Sequence, residues 1–308
     1  MQGSQPVLNQ PLRGAHVGLA DLLALRYAPL PAERVSGTAQ SARGGTRLSR
    51  HRGRGIDFSE VRAYAPGDDV RTIDWKVTAR KGRPHTKVFR EERERQTLLF
   101  VDQTQSMFFG SRVRLKSVAA AELAARLAWR AIAEQDRVGG LVVGNDTVVA
   151  HEPYRHMKPL ARLLGDLARI NGALARGRPV PGPAHMAQAL LRLGRLARRN
   201  HRIYLISDFQ PLAGHWRDAL SALARQNEVV AIRICDPIEA ELPPADVYTI
   251  TDGADRWQFD AGEPRLRADY RARAADHAGA FTALCRDAGV PAWVLRTDQS
   301  LDAALTGL

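Results

Sequence analysis

The run Thr97-Leu98-Leu99-Phe100-Val101, closed by Asp102, constrains the fold more than any other feature. It does not alternate, so both faces of the strand it forms must be buried, which requires a layer above and a layer below. The pattern recurs. Arg137 to Gly144, Arg202 to Ser207, Glu228 to Ile234 and Pro291 to Leu295 read as further strands, and Arg202–Ser207 again runs into an acid, Asp208. Helical spacing covers about 112–134, 157–169, 184–199, 215–227 and 265–289. Strands alternating with helices predict an α/β, doubly wound, mainly parallel sheet. Residues 147–151 read as a hairpin partner across Asn145-Asp146, and residues 247–251 as one more short strand of the sheet. In the helix at 112–134, Leu115, Ala119, Leu123, Leu127 and Ala131 recur every fourth residue and are expected to face the sheet.

Ahead of that domain the chain reads differently. Residues 14–28 have helical apolar spacing, stopped by Pro29 and Pro31. Residues 31–55 are rich in Gly, Ser and Arg, and residues 56–95 read as irregular β structure. The expected division is a helix with a basic arm over 1–42, a small β-rich module over 43–95, and the α/β domain over 96–308. Of 308 residues, 45 are basic and 33 acidic, a net +12, and the first 97 residues hold 18 and 10 of these. Arg43, Arg47, Arg50, Arg52 and Arg54 fall within twelve residues without an acid. Such an arm suits either solvent or an anionic partner. No apolar run approaches the ~18 residues of a membrane span, and the start lacks the basic-then-apolar order of a secretory signal. Two cysteines, Cys235 and Cys285, do not make a disulfide scaffold.

Asp102-Gln103-Thr104-Gln105-Ser106 directly follows a buried strand, and in open α/β sheets ligands collect at the carboxyl ends of strands. One carboxylate and two hydroxyls at alternate positions are oxygen donors suited to a hard ion such as Mg²⁺. Asp208 ends a second buried strand, so the two loops can converge. The bland alternative is that these groups cap the following helices. Other chemistries lack their residues. Thr104 stands where a second acid would be needed for an aspartyl phosphatase, Leu115 stands where a P-loop needs glycine, and Ser106 is in no nucleophile elbow. The nine histidines show no zinc spacing. Residues 55–80 interleave acids with arginines around Phe58, Tyr64 and Trp75. They read as an ion-paired module folded about its aromatics.

The segment G-x-D-F-x-x-V-R-x-Y-x-P-G-D-D-V-R-x-I-D-W-K-x-T-A-R over residues 55–80, followed by a strand and D-x-T-x-S, resembles the bacterial domain-of-unknown-function 58 family. Arg62, Tyr64, Gly67, Asp68, Asp69, Arg71, Asp74 and Trp75 carry the first part of the likeness. The resemblance implies that the signature module is joined to a von Willebrand factor A-like domain, a class that often carries a metal-ion-dependent adhesion site. Asp102, Thr104 and Ser106 then match its first loop and Asp208 its third-loop acid. The second loop departs from the pattern. Ala184 stands where threonine is usual, and His185 is a poor ligand for a hard ion. Mg²⁺ is therefore expected to bind weakly or not at all, with Ala184→Thr raising the affinity and Asp102→Ala abolishing it.

No nucleophile or proton shuttle is visible, so a non-enzymatic interaction protein is expected. The resemblance implies partnership with a MoxR-type AAA+ ATPase and a client protein, in assembly or maturation of other proteins. It also implies a cytoplasmic place, since the membrane spans of some relatives are not seen. Phe108 and Phe109, beside the metal-type loop, are the expected partner anchors. Two other classes are weighed beside it: a nucleic-acid binder using the arginine arm, which no recognition motif supports, and a metal-dependent hydrolase built on Asp102 and Asp208.

Overall fold

The computed structural model describes residues 11–27, 56–65, 68–91, 96–176, 178–212, 214–251 and 256–301. In chain order its elements are α1 (Leu19–Ala24), β1 (Ile56–Ala63), α2 (Trp75–Lys81), β2 (His85–Glu91), β3 (Gln96–Asp102), α3 (Lys116–Ala133), β4 (Arg137–Val143), β5 (Val148–Tyr154), α4 (Met157–Gly172), α5 (Pro183–Leu196), β6 (His201–Ser207), α6 (Gly214–Ala224), β7 (Glu228–Cys235), α7 (Pro237–Ala240), β8 (Val247–Thr251), β9 (Arg256–Asp260), α8 (Pro264–Ala288) and β10 (Ala292–Arg296). They fall into two compact units, residues 1–34 with 95–308, and residues 35–94.

The larger unit holds a six-stranded sheet in the order β10-β7-β6-β3-β4-β5, parallel except for the hairpin strand β5. β3 lies at its centre and serves both faces. Leu99 and Val101 enter one core with α3 and α4, while Leu98 and Phe100 enter the other with α5, α6 and α8. The unbroken run in the sequence is thus explained, since alternate residues need alternate cores. The expected hairpin across Asn145-Asp146 is present. Residues 247–251 are a correction. β8 pairs with β9 in a separate antiparallel hairpin rather than joining the sheet. Val247 and Ile250, on opposite faces, are both exposed, which suits a two-stranded ribbon and not a strand buried on both faces.

α3 starts at Lys116, four residues later than the spacing predicts, because residues 108–115 form a loop whose backbone pairs elsewhere. Every residue from Lys116 to Ala131 is buried, so the helix has no solvent face until its last two residues. Its outer side is covered by the N-terminal segment. The Leu12 N–H donates to Glu122 Oε2 (2.9 Å), the Val17 N–H to Asn171 Oδ1 (2.8 Å), and Trp129 Nε1–H to the Leu22 carbonyl (2.9 Å). Glu122 inside this helix also pairs with Arg114 and Arg126, as a buried carboxylate must.

In the smaller unit, β1 and β2 form an antiparallel pair. The antiparallel pair agrees with the β-rich reading, and the signature segment between the strands adds two short helical turns, Val70–Thr72 and α2. Its acids act as caps: Asp69 accepts the Arg71 N–H (2.9 Å), and Asp74 accepts the N–H groups of Lys76 and Val77 at the start of α2 (3.0 and 3.1 Å). Satisfying orphan amides is what Asp does best at these positions. One expected ion pair is present, Arg62–Asp68 at 2.6 Å. Asp68 also accepts the Ala65 N–H, and this bond and Arg62 hold its carboxyl below the usual range. Tyr64 is half-buried, but Trp75 is 70% exposed and is no internal anchor. Gly67, the Phe58 side chain and the arginine arm at 43–54 lie outside the described residues and side chains.

β4 opposes β5 with a register shift between Val138 and Gly140. Gly140 has φ 153°, and a Cβ there would lie 2.0 Å from the Leu99 carbonyl oxygen. Gly140→Ala is therefore expected to cost ~3 kcal/mol or more, roughly 10 °C in Tm for a unit of this size. A thermal melt within ~2 °C of the parent would contradict this packing.

Candidate functional site

The chain proceeds from β3 outward through β4 to β5, then returns to the other side of β3 with β6 and continues to β7 and β10. The β3/β6 boundary is thus the topological switch point, where diverging loops leave room for a ligand. Asp102 ends β3, and Ser207 ends β6 with Asp208 next. The first and third loops of the sequence reading therefore meet. The Ser207 hydroxyl donates to Asp102 Oδ2 at 2.6 Å, and the Phe209 N–H donates to Ser207 Oγ at 3.0 Å. Phe209 makes the turn in a left-handed conformation, φ 57°, with its ring packed on Trp216 and Phe281.

Within the first loop, the Thr104 N–H and hydroxyl both donate to Asp102 Oδ1 (2.9 and 2.7 Å). Thr104 Oγ1 and Ser106 Oγ lie 3.2 Å apart. With the threonine proton on Asp102, Ser106 is the donor of that bond. Asp102 is fully buried. Burial, and next the charge of Asp208, push its carboxyl up to about 6, against the pull of its hydrogen bonds. Its two oxygens thus serve a network that closes the end of the sheet.

Asp208 has a partner that sequence reasoning missed. Lys116 Nζ donates to Asp208 Oδ2 at 2.9 Å and to Glu239 Oε1 at 2.7 Å, and the side chain is 2% exposed. Burial pulls the ammonium down, but the two carboxylates outweigh it and its pKa lies above the ordinary lysine value. The remaining oxygens are also taken: Asp208 Oδ1 accepts the Gln210 N–H (3.1 Å), and Glu239 Oε2 the Asp236 N–H (3.0 Å). Asp236 in turn accepts from the Ser111 N–H (2.9 Å), the Ser111 hydroxyl and the Thr297 hydroxyl (2.5 Å each). Ser111 therefore ties its loop to the N-cap of α7, just after β7. One signal for Lys116 is present in the sequence. It is one of five lysines in an arginine-rich chain; its place at the opening of α3, where the macrodipole opposes a cation, came only with the structure.

Phe109 is 44% exposed, with its ring centroid 5.8 Å from Lys116 Nζ. Phe108 is half-buried and sits against the His16 ring, 5.5 Å between centroids. The second loop contributes no oxygen: Ala184 has none, and His185 Nε2 is engaged by the Gly144 carbonyl at 2.7 Å.

The donor set does not fit a resident divalent ion. The Thr104 and Ser106 hydroxyls have about the separation of neighbouring ligands around Mg²⁺ (~3 Å for ~2.1 Å bonds). But Asp208 is neutralised by Lys116 and Asp102 is consumed by Thr104 and Ser207. Among the described residues no three His, Cys, Asp or Glu side chains converge on one point as a metal cluster.

The model of the family described as protein of unknown function DUF58 matches residues 60–280. The chain belongs to the DUF58 family. Among its relatives, uncharacterized protein Rv1480 of Mycobacterium tuberculosis is 32% identical over 255 residues, 80% of this chain and 76% of the relative. Uncharacterized protein MAV169 of Mycobacterium avium is 35% identical over 126 residues, 39% and 72% of the two chains. Among solved structures the chain is similar to the conserved hypothetical protein BatB from Bacteroides thetaiotaomicron, at 14% identity, 68% and 93% coverage and a TM-score of 0.40. It is also similar to the SpRpn10 VWA domain, at 12% identity, 69% and 94% coverage and a TM-score of 0.35. This DUF58 protein thus carries its signature segment ahead of an α/β unit with a mainly parallel six-stranded sheet. Among the described residues no helix is long and apolar enough to cross a membrane.

The Asp102 carboxyl carries a pH signature. Its folded pKa lies above its unfolded one, so between about pH 4 and 6 the folded state binds more protons. Stability therefore falls as pH rises through that window, then levels. In Asp102→Asn this contribution vanishes. The stability difference between variant and parent should move in the variant's favour by on the order of a few kcal/mol from pH 4 to pH 7. Denaturant melts across this range giving a pH-independent difference would refute the assignment.

Proposed function

We propose that this DUF58 protein acts without catalysis, as an interaction adaptor whose docking face is the strand-end face carrying Asp102, Thr104, Ser106, Asp208 and Phe109. What supports this reading is the hydrogen-bond accounting. Both oxygens of Asp102 and both of Asp208 are occupied by partners inside the protein. In a hydrolase one of these carboxylates would have to give up an internal partner before acting as a base or sharing a metal with substrate. Beside these occupied acids stands an exposed aromatic ring, the residue type that most often anchors an interface. Phe109 is the better anchor of the two phenylalanines, since Phe108 is already held against His16.

The partner in this reading is a MoxR-type AAA+ ATPase, with a client protein still to be found, and the place is the cytoplasm. Both come from the family resemblance. The chain contributes no P-loop, so the ATPase would be the motor and this protein the adaptor.

The test is capture of a MoxR-type ATPase by purified protein. Phe109→Ala is expected to weaken capture tenfold or more, the scale of an aromatic hot spot, with an unchanged melting temperature. Phe108→Ala should weaken it less. If both variants hold the ATPase like the parent, and charge reversal of Arg50, Arg52 and Arg54 releases it, the interface belongs to the basic arm instead.

A further inference from the structure

Three loops end at the strand-end site, and one side chain touches two of them from the third. Lys116 opens α3 with its N–H bonded to the Phe109 carbonyl (2.8 Å), while its ammonium reaches Asp208 after β6 and Glu239 in α7 after β7. A lysine is poorly placed here on two counts: burial strips its hydration, and the helix N-terminus repels its charge. Only a compensating negative field holds it, and two carboxylates at 2.9 and 2.7 Å supply that field. Conversely, without the ammonium, the buried Asp208 would lose its ion-pair partner and would stand uncompensated beside Asp102. A divalent ion could fill that electrostatic role, but here the donors for such an ion are already engaged.

We propose that Lys116 is the resident cation of this site: a tethered ammonium that neutralises the strand-end acids in place of a divalent ion and makes the site independent of metal. The proposal deepens the docking reading and rests on it only for where the partner sits. A partner carboxylate has no ion to complete, so contact at this face must come from the Phe109 ring and neighbouring polar groups. The Ala184 departure in the second loop then has a physical reason, because a loop with no ion to bind needs no hydroxyl. It also changes the expectation for Ala184→Thr. That substitution adds an oxygen but leaves Asp208 paired, so it gains no affinity while Lys116 is present.

The experiment is a thermal melt in chelator and in millimolar Mn²⁺, with Mn²⁺ binding read by electron paramagnetic resonance. The parent is expected to melt at the same temperature in both media and to bind no Mn²⁺ at the site. Lys116→Met removes the ammonium and keeps the stem. It should melt lower in chelator, be restored by Mn²⁺, and bind Mn²⁺ at least tenfold more tightly than the parent. Lys116→Arg keeps a charge and should stay insensitive to metal. A parent whose melting temperature drops in chelator and recovers with Mn²⁺ overturns the proposal, as does Mn²⁺ affinity gained by Ala184→Thr with Lys116 intact. A folded Lys116→Met with no new affinity overturns it equally. If Lys116→Met does not fold, the parent and Ala184→Thr measurements still decide. Because the readouts are melting and Mn²⁺ binding, a failure here is distinct from a failure to capture a partner.

Discussion

The ammonium of Lys116 fixes the carboxyl end of the sheet. It joins the start of α3, the loop after β6 and the short helix after β7 through two carboxylates. Around it the other acids are satisfied in turn, Asp102 by Thr104 and Ser207, and Asp236 by Ser111 and Thr297. A buried charge network of this kind adds little net stability over apolar packing, but removing one member leaves the others uncompensated. What it supplies is register. Four strand ends and the loop before α3 can meet in only one arrangement if every oxygen is to find its donor.

A second constraint is the burial of α3 on all sides. A helix rich in alanine can approach the sheet closely, yet Glu122, Arg126 and Trp129 on its other faces still need partners. The N-terminal segment serves Glu122 through Leu12 and Trp129 through Leu22, Arg126 pairs with Glu122, and Val17 joins α4 through Asn171. Residues 11–27 therefore complete the α/β unit instead of preceding it. The same segment reaches the functional face, where His16 packs on Phe108 and Gln103 and Asn171 bond beneath it. One face of the candidate site is thus built from residues almost a hundred positions upstream of it.

Much of the fold was legible because it depends on local pattern. The unbroken run in β3 requires two covering layers, and the Asn145-Asp146 turn predicts the hairpin of β4 and β5. Where local pattern is ambiguous the reading failed. Residues 247–251 have strand composition, but composition does not say which edge a strand joins. The signature segment 55–80 alternates charge, but Asp69 and Asp74 are caps of helical turns rather than rungs of an ion-paired sheet. Trp75 begins a helix with its ring in solvent, because its place at the first turn of α2 decides exposure and its hydrophobicity does not.

The sequence by itself determined a doubly covered parallel sheet with Asp102 and Asp208 at strand ends, since periodicity and strand-end position are properties of neighbouring residues. It also determined that the second loop lacks an oxygen, at Ala184. Only the tertiary structure decided what those acids do. Lys116 is 92 residues from Asp208 and 123 from Glu239 in the chain, and nothing in either neighbourhood announces the other. Their meeting follows from the switch in strand order between β3 and β6, which brings the start of α3 over the end of β6. Buried charges must pair, but the fold chooses with whom.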